Sequence, residues 1–123
     1  MKTNPAESIV ALLAQRLEAS ADQLALWTKS GKWQSRTWRE VGNDLLRLAN
    51  WLVARGIERG DRVAQLSENR YEWVLADLAM HVAGAVHVPI HAPLTGQQAA
   101  FQIRDSGARL VLLSTAEQVG KLA

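Results

Sequence analysis

Three histidines are the side chains in this sequence best suited to acid–base or metal chemistry near neutral pH. His87 and His91 flank Pro89 at the end of a strand-like run, a place where α/β sheets often hold ligands. They could bind a metal or act as a general base. However, a zinc site normally takes three or four protein ligands, and neither cysteine nor a patterned glutamate accompanies this pair. We therefore predict no metal-ligating residue and expect His81, His87 and His91 to serve packing or to lie on the surface.

Two aspartates have a catalytic interpretation and a simpler structural one. Asp61 follows Gly60 directly before a predicted strand, where an aspartate usually accepts hydrogen bonds from backbone N–H groups of a turn. Asp77 lies within the stripe of a predicted helix, and partial burial there favours an arginine partner. The sequence shows no paired carboxylates that suggest acid–base catalysis. We therefore predict no catalytic residue.

The segment Ser67–Arg70 joins a predicted strand to a predicted helix, and a helix start can hold an anion. Neither the Gly-x-Gly-x-x-Gly pattern nor a lysine-containing phosphate loop is present here. We expect Ser67 or Asn69 to cap the helix, with nucleotide binding as the minor alternative. No cofactor-binding residue is predicted.

Tryptophans and arginines together raise the alternative of nucleic-acid binding, through base stacking and phosphate contacts. The arginines alternate with acidic residues, which is typical of a solvated helix face. The formal net charge is only +2, with a pI near 9.4. We therefore predict no nucleic-acid partner. Core packing and a buried interface are the expected roles of the five tryptophans, Trp27, Trp33, Trp38, Trp51 and Trp73.

Composition indicates one globular domain spanning residues 1–123. Hydrophobic residues make up 48% of the chain, which is enough to form a core. Cysteine is absent, which suits a reducing compartment. No apolar run approaches the roughly 18 residues that a membrane span requires. Asn4, Pro5 and Glu7 stand where a secretory signal would be apolar. We expect a cytoplasmic location.

The first third of the chain predicts a helix followed by a hairpin. Residues 1–22 form the helical lead-in, with Asn4 as the cap and Pro5 at the first helical position. Residues 24–37 alternate around Ser30-Gly31 and predict two antiparallel strands.

Residues 38–123 predict α/β units that give a small parallel sheet flanked by helices, with right-handed crossovers. Two capping boxes, Thr37-x-x-Glu40 and Thr95-x-x-Gln98, begin helices, and glycines end them. Pro89 cannot donate to a ladder and therefore belongs at a strand end or on an edge. The apolar run 110–113 suits a strand covered on both faces. The predicted order after the hairpin is the helix that ends near Gly56, strand 62–67, the helix from Arg70 to Gly84, strand 85–90, the helix from Thr95 to Gly107, strand 110–113, and a helix from Thr115.

Five segments carry a resemblance that covers about residues 24–123. The first, Thr37-Trp38-Arg39-Glu40-Val41, is similar to the Thr-Tyr-x-Glu-Leu motif of the adenylate-forming enzymes. Segment 67–73 resembles most the long-chain fatty acyl-CoA synthetase branch. The remaining segments match the family in order and spacing. After the first motif, the matching segments are 54–64, 67–73, 83–90 and 102–109.

The resemblance implies a fatty acyl-CoA ligase, in which ATP and a carboxylic acid give an acyl-adenylate and pyrophosphate, and CoA then displaces AMP. ATP, Mg²⁺ and CoA are therefore implied for the full-length family. The family's phosphate loop, adenine pocket, ribose-binding Asp, metal-binding Glu and mobile lysine have no counterpart in this sequence. We therefore expect an N-terminal structural portion that is inert alone and binds no cofactor. Its partners would be the remainder of the synthetase chain and, in the full enzyme, a fatty acid.

His91 stands where the long-chain branch commonly has an aromatic residue, which leaves the acyl specificity open. Gly84 and Gly107 are expected to be structural, because a bulky residue at either would strain the backbone by about 1 kcal/mol or more. Two alternatives stay open: a stand-alone ligand-binding module, and an interaction domain that dimerises through apolar surface exposed by truncation.

Overall fold

The computed structural model describes residues 8–123. After a first helix and a hairpin of two strands, helices and strands alternate along the chain. The predicted helix start at Asn4–Glu7 lies outside these residues. The first described helix begins after Ser8, whose side chain accepts a hydrogen bond from the Ala11 N–H. The elements are α1 Ile9–Ala19, β1 Leu24–Ser30, β2 Lys32–Thr37, α2 Trp38–Ala54, β3 Arg62–Leu66, α3 Tyr71–Ala83, β4 Val86–Ile90, α4 Gly96–Ser106, β5 Leu110–Leu113 and α5 Ala116–Leu122.

Strands β1 and β2 form the predicted hairpin. They pair antiparallel, with Ser30 opposite Lys32 across Gly31, whose φ is +77°. A glycine adopts this left-handed conformation at little steric cost, so the turn is as tight as the sequence predicts. The register shifts between Leu24 and Leu26, where the hairpin approaches the body of the protein.

Strands β3, β4 and β5 form a parallel sheet in the order β4-β3-β5. The first of the three strands in the sequence is therefore the central one. Pro89 lies on β4, opposite Gln65 and at the edge of the sheet, as its missing N–H requires. The predicted α/β architecture with a small parallel sheet is confirmed.

Helices cover both faces of this sheet, and the alternation of β3 side chains shows which helices cover which face. Val63 packs with α2 and α3. Ala64 and Leu66 pack with α4 and α5. A third cluster joins α1 and the hairpin to α2 and α3 around Leu13 and Leu45. The sheet therefore holds two helical layers, and the hairpin lies against the first.

The helix ends follow the predicted local signals in most places. Both capping boxes form, at Thr37 with Glu40 and at Thr95 with Gln98. Gly84 and Gly107 adopt left-handed φ values of +78° and +68° after α3 and α4, and Gly56 does so after α2. The cap predicted for α3 is wrong. Arg70 occupies the cap position, and no side chain bonds to the first N–H groups.

Two expectations about burial differ from the structure. The β5 run was expected to be covered on both faces, but its four residues are only half-buried. Among the described residues β5 pairs with β3 alone, so one of its edges stays open. The tryptophans are predicted to serve core packing and a buried interface, and Trp27, Trp33 and Trp51, which are 57%, 63% and 39% exposed, do not belong to the core. Trp38 does pack, in the cluster around Leu13 and Leu45.

Candidate functional site

The carboxyl ends of the three parallel strands meet at one edge of the sheet, where α/β folds usually hold their ligands. A groove of about 560 Å³ opens there between α2, α3 and β5. Gln65 lies in the groove, and its buried Oε1 has no hydrogen-bond partner among the described residues. The groove therefore has an apolar wall with a polar group at its base and charged groups in its lining. The apolar side chains are Leu48, Leu75, Ala76, Leu112 and Leu113, and the charged ones are Asp44, Arg47, Arg70 and Glu72.

Glu68 organises the polar groups at this edge. Its carboxylate accepts hydrogen bonds from the Ser114 hydroxyl, after β5, and from Gln118 Nε2, on α5, at 2.7 Å. These two bonds lower the pKa of Glu68 to about 2. Gln118 also donates to the Ala92 carbonyl after β4 at 3.3 Å, and Lys121 donates to the same oxygen at 2.7 Å. Helix α5 thus ties together the segments that follow all three strands.

The start of α3 is the predicted alternative site for a nucleotide phosphate. Arg70 supplies the positive charge there, but its Nε lies 2.8 Å from the Glu72 carboxylate, and its Nη1 donates to the Ser114 carbonyl at 3.3 Å. The bond from Arg70 lowers the pKa of Glu72. Ser67 turns its hydroxyl to the Glu68 carbonyl instead of capping the helix. The local charges at the start of α3 are therefore paired with one another.

Asp61 occupies the turn that the sequence predicts. Its Oδ2 accepts a hydrogen bond from the Glu58 N–H at 2.7 Å. The same oxygen forms an ion pair with Arg109 Nη1 at 2.9 Å. The Glu58 bond, with a smaller contribution from Arg109, lowers the pKa of the Asp61 carboxyl. The sequence did not predict the role of Arg109, because 48 residues separate the two partners.

Asp77 contacts two histidines, His81 and His87. The prediction that an arginine pairs with Asp77 is therefore wrong. The Asp77 carboxylate is 2.8 Å from His87 Nδ1 and 3.5 Å from His81 Nδ1. His87 is nearly buried, and its ring packs edge-on against Trp73 with centroids 5.2 Å apart. Its Nε2 is buried without a hydrogen-bond partner among the described residues. His91 lies apart, beside Pro89 in a small surface pocket.

A tyrosine–carboxylate contact joins α2 to α3 and carries no signal in the sequence. The Tyr71 hydroxyl donates to Asp44 at 2.7 Å, and the Arg36 guanidinium lies 3.7 Å from the centre of the Tyr71 ring. Burial, reinforced by the Asp44 bond, raises the pKa of Tyr71. Each pair is distant in sequence, so only folding brings the groups together.

No group of three or more histidine, aspartate or glutamate side chains within residues 8–123 is arranged to hold a metal ion. No helix in the same range is both long enough and apolar enough to cross a bilayer. The carboxylates of Glu68 and Glu72 at the sheet edge are bonded to Ser114, Gln118 and Arg70.

Fold and site together define an α/β protein in which helices cover both faces of a parallel sheet and the protein's own side chains brace the carboxyl edge. The comparison with known families gives the particular family. The model of the AMP-binding enzymes matches residues 13–123, so this chain belongs to the AMP-binding enzyme family.

Curated relatives include acyl-CoA ligases and peptide synthetases. The chain is 35% identical over 85 residues to the long-chain-fatty-acid–CoA ligase FadD15 of Mycobacterium bovis, a match over 69% of this chain and 14% of the relative. It is 35% identical over 107 residues to the phosphinothricin tripeptide synthetase PhsB of Streptomyces viridochromogenes, over 87% of this chain and 9% of that one. The chain therefore spans a small part of the length of these relatives.

Solved structures share the fold. A fatty acyl-adenylate ligase from L. pneumophila superimposes with a TM-score of 0.82 at 23% identity, over 94% of this chain and 21% of that chain. O-succinylbenzoate coenzyme A synthetase from Bacillus subtilis, solved with ATP and magnesium ion, superimposes with a TM-score of 0.80 at 28% identity, over 89% of this chain and 29% of that chain. The α/β arrangement described above is thus the fold of the N-terminal region of adenylate-forming enzymes.

Proposed function

We propose that residues 1–123 form one structural unit, the N-terminal portion of a cytoplasmic ATP-dependent fatty acyl-CoA ligase. The reaction of the whole enzyme would convert a fatty acid, ATP and CoA into acyl-CoA, AMP and pyrophosphate. The match of the family model to residues 13–123, together with the 35% identity to a long-chain-fatty-acid–CoA ligase, supports this proposal most directly.

The role of this portion would be to brace the sheet. The Glu68 cluster supports such a role, because it bonds α5 to the segments after all three strands. The Glu68 carboxylate and the Gln118 Nε2 group are used in these internal bonds. The reacting groups would then come from the remainder of the synthetase chain, and no residue of this chain would be catalytic or ligate the magnesium ion.

The next part of the proposal is the carboxylic acid that the whole enzyme would activate. At the same 35% identity, the peptide synthetase PhsB matches 87% of the chain and FadD15 matches 69%. Adenylation of a carboxylic acid is the chemistry common to the family, because AMP turns a poor acyl donor into a reactive one. A fatty acid is the acid that the FadD15 match favours.

The test is an activity assay on the purified 123-residue chain with fatty acid, ATP, Mg²⁺ and CoA, with pyrophosphate and acyl-CoA both measured. We expect no turnover, and a long-chain ligase of the FadD15 type run in parallel serves as the positive control. Acyl-CoA formation by the 123-residue chain would contradict the proposal. Reading the coding sequence downstream of Ala123 gives the complementary test, because a Thr-Ser-Gly-Thr-Thr-Gly motif there would supply the missing phosphate loop.

Two alternatives make different predictions. A stand-alone binding module would release heat with ATP, AMP or acyl-CoA in calorimetry, whereas the proposal predicts no heat with any of them. A dimeric interaction domain would give twice the monomer mass in light scattering at high concentration. A monomer in light scattering that releases no heat with ATP, AMP or acyl-CoA would favour the proposed structural role over both alternatives.

A further inference from the structure

One face of the hairpin carries two exposed tryptophans. The register places Trp27 opposite Ser35 and Lys29 opposite Trp33, so these four residues share one face, which we name the tryptophan face. All four are exposed. The Lys29 ammonium lies 5.5 Å from the centre of the Trp33 ring. The tryptophan face is therefore an apolar surface with a cation beside it.

The opposite face of the hairpin holds it against the body of the protein. Leu26 packs in the cluster that joins α1, α2 and α3. Arg36 donates to the Thr28 hydroxyl at 2.9 Å and stacks on Tyr71. Because these contacts use the inward side chains, the tryptophan face points outward from an anchored support.

The charge of the hairpin has one sign. Between Leu24 and Thr37 the sequence contains Lys29, Lys32 and Arg36 but no aspartate or glutamate. Lys29 and Lys32 lie beside the turn and are exposed. Elsewhere in the chain basic and acidic residues alternate, so this local excess stands out from the net charge of +2.

Exposed tryptophan next to lysine matches one kind of partner better than others. Tryptophan rings favour the boundary between lipid headgroups and acyl chains, and lysine reaches from there to the phosphates. Anionic lipids attract each lysine or arginine near the surface, which strengthens binding about fivefold per charge. A protein partner of the same charge pattern would need an acidic surface with an apolar centre, and an anionic bilayer supplies both.

We propose that the tryptophan face is a docking site for the surface of an anionic phospholipid bilayer. Trp27 and Trp33 enter the headgroup boundary, and Lys29 beside them contacts lipid phosphates. Lys32 pairs with Ser30 on the other face of the hairpin, but it lies next to the turn and adds positive charge near the lipid surface. This inference goes beyond the proposed ligase function and does not depend on it. The proposed contact is peripheral, because only the two rings enter the headgroup boundary.

Flotation of the 123-residue chain with unilamellar vesicles tests the proposal. One set of vesicles contains equal parts of phosphatidylglycerol and phosphatidylcholine, and the other contains phosphatidylcholine alone. We expect the chain to float with the anionic vesicles at low salt, to bind the neutral ones far less, and to detach as salt screens the lysines.

Two variants assign the binding to the tryptophan face. Trp27→Ala/Trp33→Ala should lower vesicle affinity at least about tenfold, because the apolar area that enters the lipid is lost. Lys29→Gln/Lys32→Gln should lower it about twenty-fivefold at low salt while keeping both rings. The matched control is Trp51→Ala/Arg55→Gln, which removes a second exposed tryptophan–cation pair, 4.9 Å apart, from α2. The control should bind as the unchanged chain does.

Several results would overturn the inference. These are no flotation with anionic vesicles, equal binding by the lysine variant, or an equal loss in the Trp51 control. Self-association that disappears in the tryptophan variant, without vesicle binding, would show instead that the face contacts a second copy. Circular dichroism checks that each variant is folded, and the lysine variant decides the question if the tryptophan variant is not.

Discussion

Replacing Gly107 by alanine tests the contact between the end of α4 and β3. Gly107 has a φ of +68°, and an L-residue in this left-handed conformation costs roughly 1–2 kcal/mol. The new Cβ would also lie 2.6 Å from Arg62 Nη2, too close for two non-bonded atoms. The guanidinium can swing aside, but its Nε then gives up the 2.8 Å bond to the Ser106 carbonyl.

The lost bond adds about 0.5–1.5 kcal/mol, at the low end because Arg62 is exposed. The expected total is therefore about 1.5–2.5 kcal/mol of unfolding free energy. Gly56→Ala is the matched control, since Gly56 also follows a helix, with a φ of +87°, but an added Cβ meets nothing within 4 Å. The control should lose only the conformational part, about 1–2 kcal/mol.

Urea unfolding of the 123-residue chain, followed by circular dichroism, measures both losses. Repeating Gly107→Ala in an Arg62→Ala background isolates the steric part, because the obstructing side chain is then absent. There the loss should fall to the Gly56 value. An equal loss for the two glycines, or no change in the Arg62→Ala background, would refute the assignment of Arg62 as the obstacle.

Two further predictions concern the carboxyl edge and α5. The pKa of Glu68 is lowered to about 2, so its contribution to stability is complete above its ordinary pKa of 4.5 and is lost as the pH falls towards 2. Glu68→Gln should therefore flatten the dependence of unfolding free energy on pH between these values, and an unchanged acid transition would show that the Ser114 and Gln118 bonds do not form in solution. Gly120 lies inside α5 with open space around its Cα, so Gly120→Ala should raise the stability by about 0.5–1 kcal/mol, visible as a higher Tm; a lower Tm would contradict the assigned helix.

Local signals account for most of what the sequence predicted correctly. Thr37 and Thr95 form their capping boxes with residues three positions away, so no distant contact was needed to infer them. Pro89 lies on an edge strand because it lacks an N–H in any fold. The Asp61 turn uses an N–H three residues away and was predicted for the same reason.

The wrong predictions concern groups whose partners are set by distant elements. Asp77 faces His87 rather than an arginine, because β4 passes beside α3 at that point. Ser67 does not cap α3, since its hydroxyl bonds to the Glu68 carbonyl and Arg70 takes the cap position. The exposure of Trp27 and Trp33 depends on which face of the hairpin packs on the helices, and period-two alternation alone does not specify that face.

By itself the sequence determined the elements, most of their ends and the family, because caps, turns and spaced motifs are properties of neighbouring residues. Only the tertiary structure decided the strand order β4-β3-β5, the Glu68 cluster that α5 closes, and the outward tryptophan face. The physical reason is one of range: backbone hydrogen bonding and sterics act within a few residues. Burial and pairing of side chains depend instead on segments about 50 positions apart, such as Glu68 and Gln118.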